Sequence, residues 1–393
     1  MSHPIRHFAR SGLVLLLAAG MLAGCSTVKN VFAGRGQDKA LEPTPLAQIA
    51  PTITATRLWD VKIGKGEKDL GLGQHPAILD GRVYAAAVDG GVYALDLKTG
   101  QTLWHTPSKL ALSGGPGVGE GLVVVGSLKG DVVAYDAQTG AEKWTAKVGN
   151  EVIAAPAIGG GLVFVHSNDD RVTAFDAASG ERRWFYTVDQ PALTVRGTGP
   201  VTLGPGIVFV GHDNGTVTAL SPNDGSVLWS AAVAEPDGRS ELERMADVDG
   251  PVVLNGRVLY ATSYKNHTVA IDGPSGQVLW DRDTGGPRGL GLSNSAVVVT
   301  DPAGKVWALD RNTGGSLWQQ EGLAHRNTTA PAVQGDHALV GDLEGYVHWL
   351  QLKDGAFAAR AKLGAPIVAQ PVVADDIAVI QTRDGELAAF RLQ

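Results

Sequence analysis

The stretch GVYALDLKTGQTLW, residues 91–104, sets a pattern that the whole chain repeats. Val92, Ala94 and Leu95 lead into Asp96; Gly100 follows four residues later and Trp104 eight residues later. Alternating apolar residues before the Asp suit a half-buried strand. The Asp-Leu-Lys-Thr-Gly run is a tight turn, in which Asp accepts bonds from amides further along and Gly supplies a positive φ. The strand then reverses, and Trp104 adds a large flat apolar surface.

The frame returns as Val132, Ala134, Tyr135, Asp136, Gly140, Trp144 and as Val172, Ala174, Phe175, Asp176, Gly180, Trp184. A fourth copy carries Ser221 in place of the Asp, with Gly225 and Trp229. Asp272, Gly276, Trp280 and Asp310, Gly314, Trp318 mark the fifth and sixth. The seventh has Trp349, Gln351 and Gly355, then Ala359 where Trp is expected; the eighth begins at Leu387, Ala389, Phe390, Arg391 and has no last strand. Between copies lies a Pro-led apolar strand, a short turn and a second apolar strand ending at a hairpin such as Asp89-Gly90, Asn214-Gly215 or Asp384-Gly385. Each period therefore holds four strands.

The Asp position falls at 96, 136, 176, 221, 272, 310, 351 and 391. A period near forty with four strands predicts an all-β fold, an eight-bladed β-propeller of four-stranded antiparallel blades. Arg57, Leu58 and Trp59 read as an orphan last strand. If that N-terminal strand completes the C-terminal blade, the ring closes and no open edge is left to invite aggregation.

Residues 1–24 read as an export signal, with Arg6 and Arg10 before an apolar run from Leu13 to Leu22 that is too short to span a bilayer. Leu22-Ala23-Gly24-Cys25 matches a lipobox, and Cys25 is the only cysteine of 393 residues. Acyl chains on Cys25 would hold the protein at a membrane, and a lone cysteine excludes an internal disulfide. Residues 25–55, with Gly34, Gly36, Pro43, Pro45 and Pro51, read as the lipidated N-terminus and flexible tether, and 56–393 as the propeller.

The chain holds 33 Lys and Arg against 40 Asp and Glu, and removing Arg6 and Arg10 leaves 31 against 40. That acidic balance, with no basic stripe, argues against nucleic acid and against direct adhesion to an anionic surface. His75, His105, His166, His212, His267, His325, His337 and His348 are spread out with no metal-site spacing and are expected to sit singly on strand faces or loops. No phosphate loop and no Gly-x-Ser-x-Gly elbow is present. The reading is of a protein that is not an enzyme and needs no cofactor or metal.

Departures from the period mark the loops that act. From a blade's last Trp to the next blade's Pro the chain takes 12 residues at Trp104–Pro116 and Trp144–Pro156, but 16 at Trp184–Pro200 and 22 at Trp229–Pro251. Strand order puts both long connections on one face. The first carries Leu193 and Val195 beside Arg196, the kind of group that anchors an interface. The second is polar and acidic and holds Asp247 and Asp249.

With its lipobox, tether, Trp-framed blades and two long connections, the chain resembles the BamB family of outer-membrane β-barrel assembly lipoproteins. Leu193-Thr194-Val195-Arg196-Gly197 is similar to the family's Leu-Ser-Leu-Arg-Gly segment, with Val195 for the second Leu, and Asp247-Val248-Asp249 to its Asp-Val-Asp segment. The resemblance implies a non-enzymatic scaffold on the periplasmic face of the outer membrane. It would bind the POTRA domains of BamA within the Bam complex through Leu193, Val195, Arg196, Asp247 and Asp249, and would support folding and insertion of nascent outer-membrane proteins. Ser26 after the Cys suggests the outer membrane by the family sorting rule. The blade frame also resembles pyrroloquinoline-quinone dehydrogenases, which hold quinone and Ca²⁺ on the axis. A third reading is a glycan- or peptide-binding propeller, with Trp307, Trp349 and Tyr264 as stacking residues.

Overall fold

The structure, a computed structural model, describes residues 42–67 and 70–393. The expected signal, Cys25 and the first part of the expected tether lie outside the described residues. Among the described residues, thirty-two strands, numbered β1 to β32 in chain order, form eight separate four-stranded antiparallel sheets. Blade 1 shows the plan: β2 (Ala77–Leu79) innermost, then β3 (Arg82–Ala87), β4 (Gly91–Asp96) and β5 (Thr102–Thr106) outermost. Among the described residues no helix is long and apolar enough to cross a membrane.

The repeated residues are the ones that join blades. Asp96 Oδ1 accepts from the amides of Lys98 and Thr99 and from the Thr99 hydroxyl, which closes the turn. Ala94 lies opposite Trp104, with the register slipping just after that pair. The small residue leaves the ring free to lean onto the next blade, where Trp104 Nε1 donates to Ala137 O. The same dock runs from Trp144 to Ala177 O, Trp184 to Pro222 O, Trp229 to Gly273 O, Trp280 to Arg311 O and Trp318 to Leu352 O. Each ring also covers the turn glycine of the next blade. At Gly180, φ is +74° and a Cβ would stand 2.6 Å from the Trp144 ring, so glycine is required twice over. Asp, Gly and Trp therefore recur together because one blade's Trp needs the next blade's turn.

The core is eight small cores, one per joint. The joint of blades 2 and 3, for example, packs Val124, Val132 and Trp144 against Val163, Val165 and Phe175. The ring closes as the sequence predicts. β1 (Ala55–Lys62) pairs antiparallel with β32 (Glu386–Leu392), which continues into β31 (Ile377–Gln381) and β30 (Val372–Ala374). Trp59 makes the usual dock onto Leu97 O.

The joint between blades 7 and 8 is built differently. The third and fourth strands of blade 8 come from opposite ends of the chain, so no Asp-Gly turn connects them and no turn glycine waits for a Trp. Here the small–large pair is exchanged: Trp349 sits on the third strand of blade 7, opposite Ala359 on the fourth. Trp349 is fully buried, packs edge-on to Phe390 of blade 8 at 5.5 Å between ring centres and donates to Gln334 Oε1. The worn seventh copy and the off-frame tryptophan are thus one substitution.

The chain before β1 is laid across blade 7. Thr54 exchanges backbone hydrogen bonds with Gln393, Thr52 N donates to Ala358 O and Thr44 N to Ala324 O. Arg360 and Arg326 each donate to backbone carbonyls of the same segment, at Ala47 and Thr44. Ile53 and Leu46 pack onto the cores on either side of blade 7. Of the stretch expected as tether, residues 44–54 are therefore strapped to the propeller.

Candidate functional site

The two long connections lie side by side on the face that carries the second-to-third strand hairpins. The first, between Thr187 and Thr202, is irregular throughout. The second contains one helical turn, α1 (Glu241–Arg244), capped by Ser240, whose side chain accepts from Glu243 N while the Glu243 carboxylate takes the Ser240 amide. An open groove between them is lined by Pro191, Leu193, Pro236, Glu241 and Arg244.

Leu193 is 42% exposed at the rim, and Val195 is half-buried. Asp247 is fully buried and its Oδ1 accepts from Val195 N at 2.8 Å, so the second connection holds the first by its backbone. The Asp249 carboxyl lies against Gly197, where a Cβ would come within 2.3 Å of Oδ2. Arg196 is exposed and reaches sideways, donating to Glu151 Oε2 at 2.7 Å and to Leu70 O at 2.6 Å. Glu151 precedes blade 3 and Leu70 precedes blade 1, so Arg196 leans over the mouth of the propeller axis. A cavity of about 180 Å³ opens there, lined by His75, Arg196, Asp249, Arg288 and Gln370 among others. The structure thus brings all five sequence-chosen residues together, with two roles: Leu193 and Arg196 face outward, while Val195, Asp247 and Asp249 bind the two connections to each other.

Below them lies a polar cluster that the sequence reading missed. His166 and His212 do not sit singly: both bond to Asp170 Oδ1, at 3.0 Å and 2.5 Å, and all three are buried. Asp213 N donates to Asp170 Oδ2, and Gln190 Nε2 donates to Asp213 Oδ2. Asp213, Asp247 and Asp249 bring carboxylate oxygens within 4.8 Å of one another. The available signal was that two consecutive hairpins, 166–170 and 212–215, each pair a His at the end of the second strand with an Asp in the turn. A third long connection was also passed over: Trp59 to Pro76 takes 17 residues, and it supplies Leu70.

Burial pushes the Asp213 carboxyl up to about 7, with the neighbouring Asp170 charge adding to it and the Gln190 bond opposing. Asp249 stands well above the usual carboxylate range, through burial first and then the charges of Asp247, Asp213 and Asp170; Asp247 is raised by burial. A carboxyl with a raised folded-state value binds its proton more tightly folded than unfolded. Its contribution therefore favours the fold at acid pH and is lost as pH climbs from about 4 to about 7. Asp213→Asn is expected to stabilise the protein at pH 8, by at most about 4 kcal/mol, and to change little at pH 4. Urea midpoints at the two pH values check this, and an equal shift at both would contradict it.

Of the aromatic residues considered for sugar stacking, the two tryptophans are engaged within the blades. Trp349 is buried in the seventh joint, and Trp307 donates to Asp301 Oδ2.

A family model described as "Outer membrane protein assembly factor BamB" matches residues 52–110, 88–320 and 310–392. A protein of that description from Xanthomonas campestris pv. campestris is 54% identical over 405 residues, covering 100% of both chains. The crystal structure of BamB from Moraxella catarrhalis superposes with a TM-score of 0.79 at 25% identity, covering 86% of this chain and 100% of that one. Quinohemoprotein alcohol dehydrogenase from Comamonas testosteroni superposes with a TM-score of 0.68, covering 86% of this chain and 76% of that one; at 15% identity this likeness concerns the fold alone.

Proposed function

The chain belongs to the BamB family of outer membrane protein assembly factors, and we propose that it serves that assembly as a non-catalytic scaffold which binds the POTRA domains of BamA through its two long connections. The observation that carries this reading is their joint construction. Leu193 and Arg196 are presented outward on a loop that has no secondary structure of its own but is held from below by Asp247 and pressed on by Asp249. An exposed apolar side chain beside an Arg on a supported loop is what an interface anchor requires. The exposed carboxylates of the two connections, Asp189, Glu235, Asp237, Glu241 and Glu243, outnumber Arg196, Arg239 and Arg244 and suit a partner surface with basic groups.

Residues 1–24 are read as the export signal and Cys25 as the lipid-bearing residue, with the tether proper ending near Thr44. The anchor would hold the propeller at the periplasmic face of the outer membrane. Nascent outer-membrane proteins are a second candidate partner, through the same assembly.

The test is binding of the chain to purified POTRA domains by calorimetry. Arg196→Glu is expected to weaken binding by roughly 2 kcal/mol or more, with an unchanged circular dichroism spectrum. Glu151→Gln frees Arg196 without altering it and is expected to bind at least as well as wild type. Equal binding by wild type and Arg196→Glu would remove Arg196 from the interface. Loss of binding by Glu151→Gln as well would mean that the ion pair, not the Arg contact, is what counts.

A further inference from the structure

Buried histidines declare their protonation through their neighbours, because a ring nitrogen facing an acceptor must carry hydrogen and one facing a donor must not. His348, in blade 7, shows the neutral case. Its Nδ1 accepts from Arg360 Nε at 3.1 Å, so only Nε2 carries hydrogen, which it gives to Asp342. His212 is also served by one proton, on Nδ1 toward Asp170, while its Nε2 has no partner.

His166 differs from both. Its Nδ1 stands 2.9 Å from the carbonyl of Gly199, which only accepts. Its Nε2 stands 3.0 Å from Asp170 Oδ1. Asp170 also takes His212 Nδ1 and the amide of Asp213, so it acts as an acceptor on both oxygens. A proton shared between imidazole and carboxyl rests on the stronger base, the imidazole. Both ring nitrogens therefore carry hydrogen, and the ring is a cation with 3% of its surface exposed.

We propose that His166 is a buried imidazolium which ties the Arg196-bearing connection to the hairpins of blades 3 and 4 and so sets the shape of the partner surface. The link to a partner rests on the function proposed above; the charge state does not. Gly199 is three residues beyond Arg196, and His166 is the side chain that grips it. Beside the ring stand Asp170 from its own hairpin and His212 and Asp213 from the next blade's hairpin; Asp247 and Asp249, from the connection into blade 5, cluster with Asp213, and Tyr186, from the outer strand of blade 3, lies 5.9 Å from the ring of His212. Asp170 and Asp213 are the carboxyls beside the cation, and Arg196 itself is turned away toward Glu151. Burial disfavours the charged ring, but the Asp170 bond and charge, with the Gly199 carbonyl and Asp213, outweigh it and hold His166 above the ordinary histidine value. With the folded value raised, the tie is complete below the unfolded value and is lost as pH rises through the folded one.

The test uses the full chain labelled with ¹⁵N at histidine and glycine. At pH 7.5 both ring nitrogens of His166 are expected to show the protonated shift while those of His348 show one neutral tautomer. On raising the pH, the Gly199 amide is expected to move with the same midpoint as the His166 ring, with no partner present. His166→Gln, which offers a donor to only one of the two acceptors, is expected to bind POTRA domains on the order of tenfold more weakly and to lose the pH dependence of binding. An unprotonated His166 nitrogen at pH 7.5, or a Gly199 amide indifferent to the ring's titration, would overturn the proposal. A wild type that shows the imidazolium and the Gly199 coupling yet does not bind POTRA domains would overturn the link to that partner and leave the charge state standing.

Discussion

A chain that begins at Ile63 is expected to be recovered unfolded or aggregated, while one that begins at Thr44 is expected to melt as the full chain does. β1 is the fourth strand of blade 8 and pairs with β32 from Ala55↔Leu392 to Lys62↔Glu386. Without it β32 becomes an open edge with a row of unpaired amides and carbonyls, a template for pairing with another chain. The joint to blade 1 loses Trp59, which covers Gly100 and donates to Leu97 O, and the core there, with Ile63, Leu95 and Val379, opens to water. A chain that begins at Ala55 separates strap from strand. It keeps β1 but loses the packing of Ile53 and Leu46 and the backbone bonds of Thr44, Thr52 and Thr54. Four backbone hydrogen bonds, two more from Arg326 and Arg360 and two partly buried aliphatic side chains, set against the entropy of ordering the strap, put its loss at about 3–6 kcal/mol. Thermal melts with size-exclusion chromatography decide the matter: a cooperative, monomeric chain from Ile63 would refute closure by β1.

Asp342→Ala is expected to destabilise the protein by about 3–5 kcal/mol, the usual result of leaving a buried charge without its partner. Asp342 is fully buried and accepts from Arg326 Nε at 2.8 Å, His348 Nε2 at 3.0 Å and the amides of Glu344 and Tyr346. Arg326 is 2% exposed and spends its other nitrogens on Glu344 and on the Thr44 carbonyl of the strap. Removing the carboxylate strands a guanidinium inside the blade and loosens its hold on the strap. Burial would raise the Asp342 carboxyl, but the His348 bond, the Tyr346 amide and Arg326 hold it below the usual range. Its contribution is therefore present at neutral pH and lost as pH falls through that depressed value. Urea denaturation at pH 7 checks the size, and a loss below about 1 kcal/mol would show that the network is relaxed by water.

Most of the ring was legible because its determinants are local. An apolar strand, an Asp turn, a Gly and a Trp lie within fourteen residues, and each copy repeats the same solution to the same joint. The long connections were legible for the same reason, as interruptions of a known ruler. The seventh copy was not legible. Ala359 and Trp349 read as decay and as a stray residue, yet they are the two halves of one exchanged pair.

The sequence by itself determined the number of blades, the closing strand and the place of two of the long connections, since each of these follows from spacing along the chain, while Leu193, Val195, Arg196, Asp247 and Asp249 were singled out through the resemblance to the family's segments. Only the tertiary structure decided what those residues do. Arg196 meets Glu151 and Leu70 from other blades, Asp247 and Asp249 turn inward, and His166, Asp170 and His212 join across a blade boundary. The physical reason is that hydrogen bonds and charges act through space over a few ångströms, and ring closure brings together groups that lie tens of residues apart along the chain.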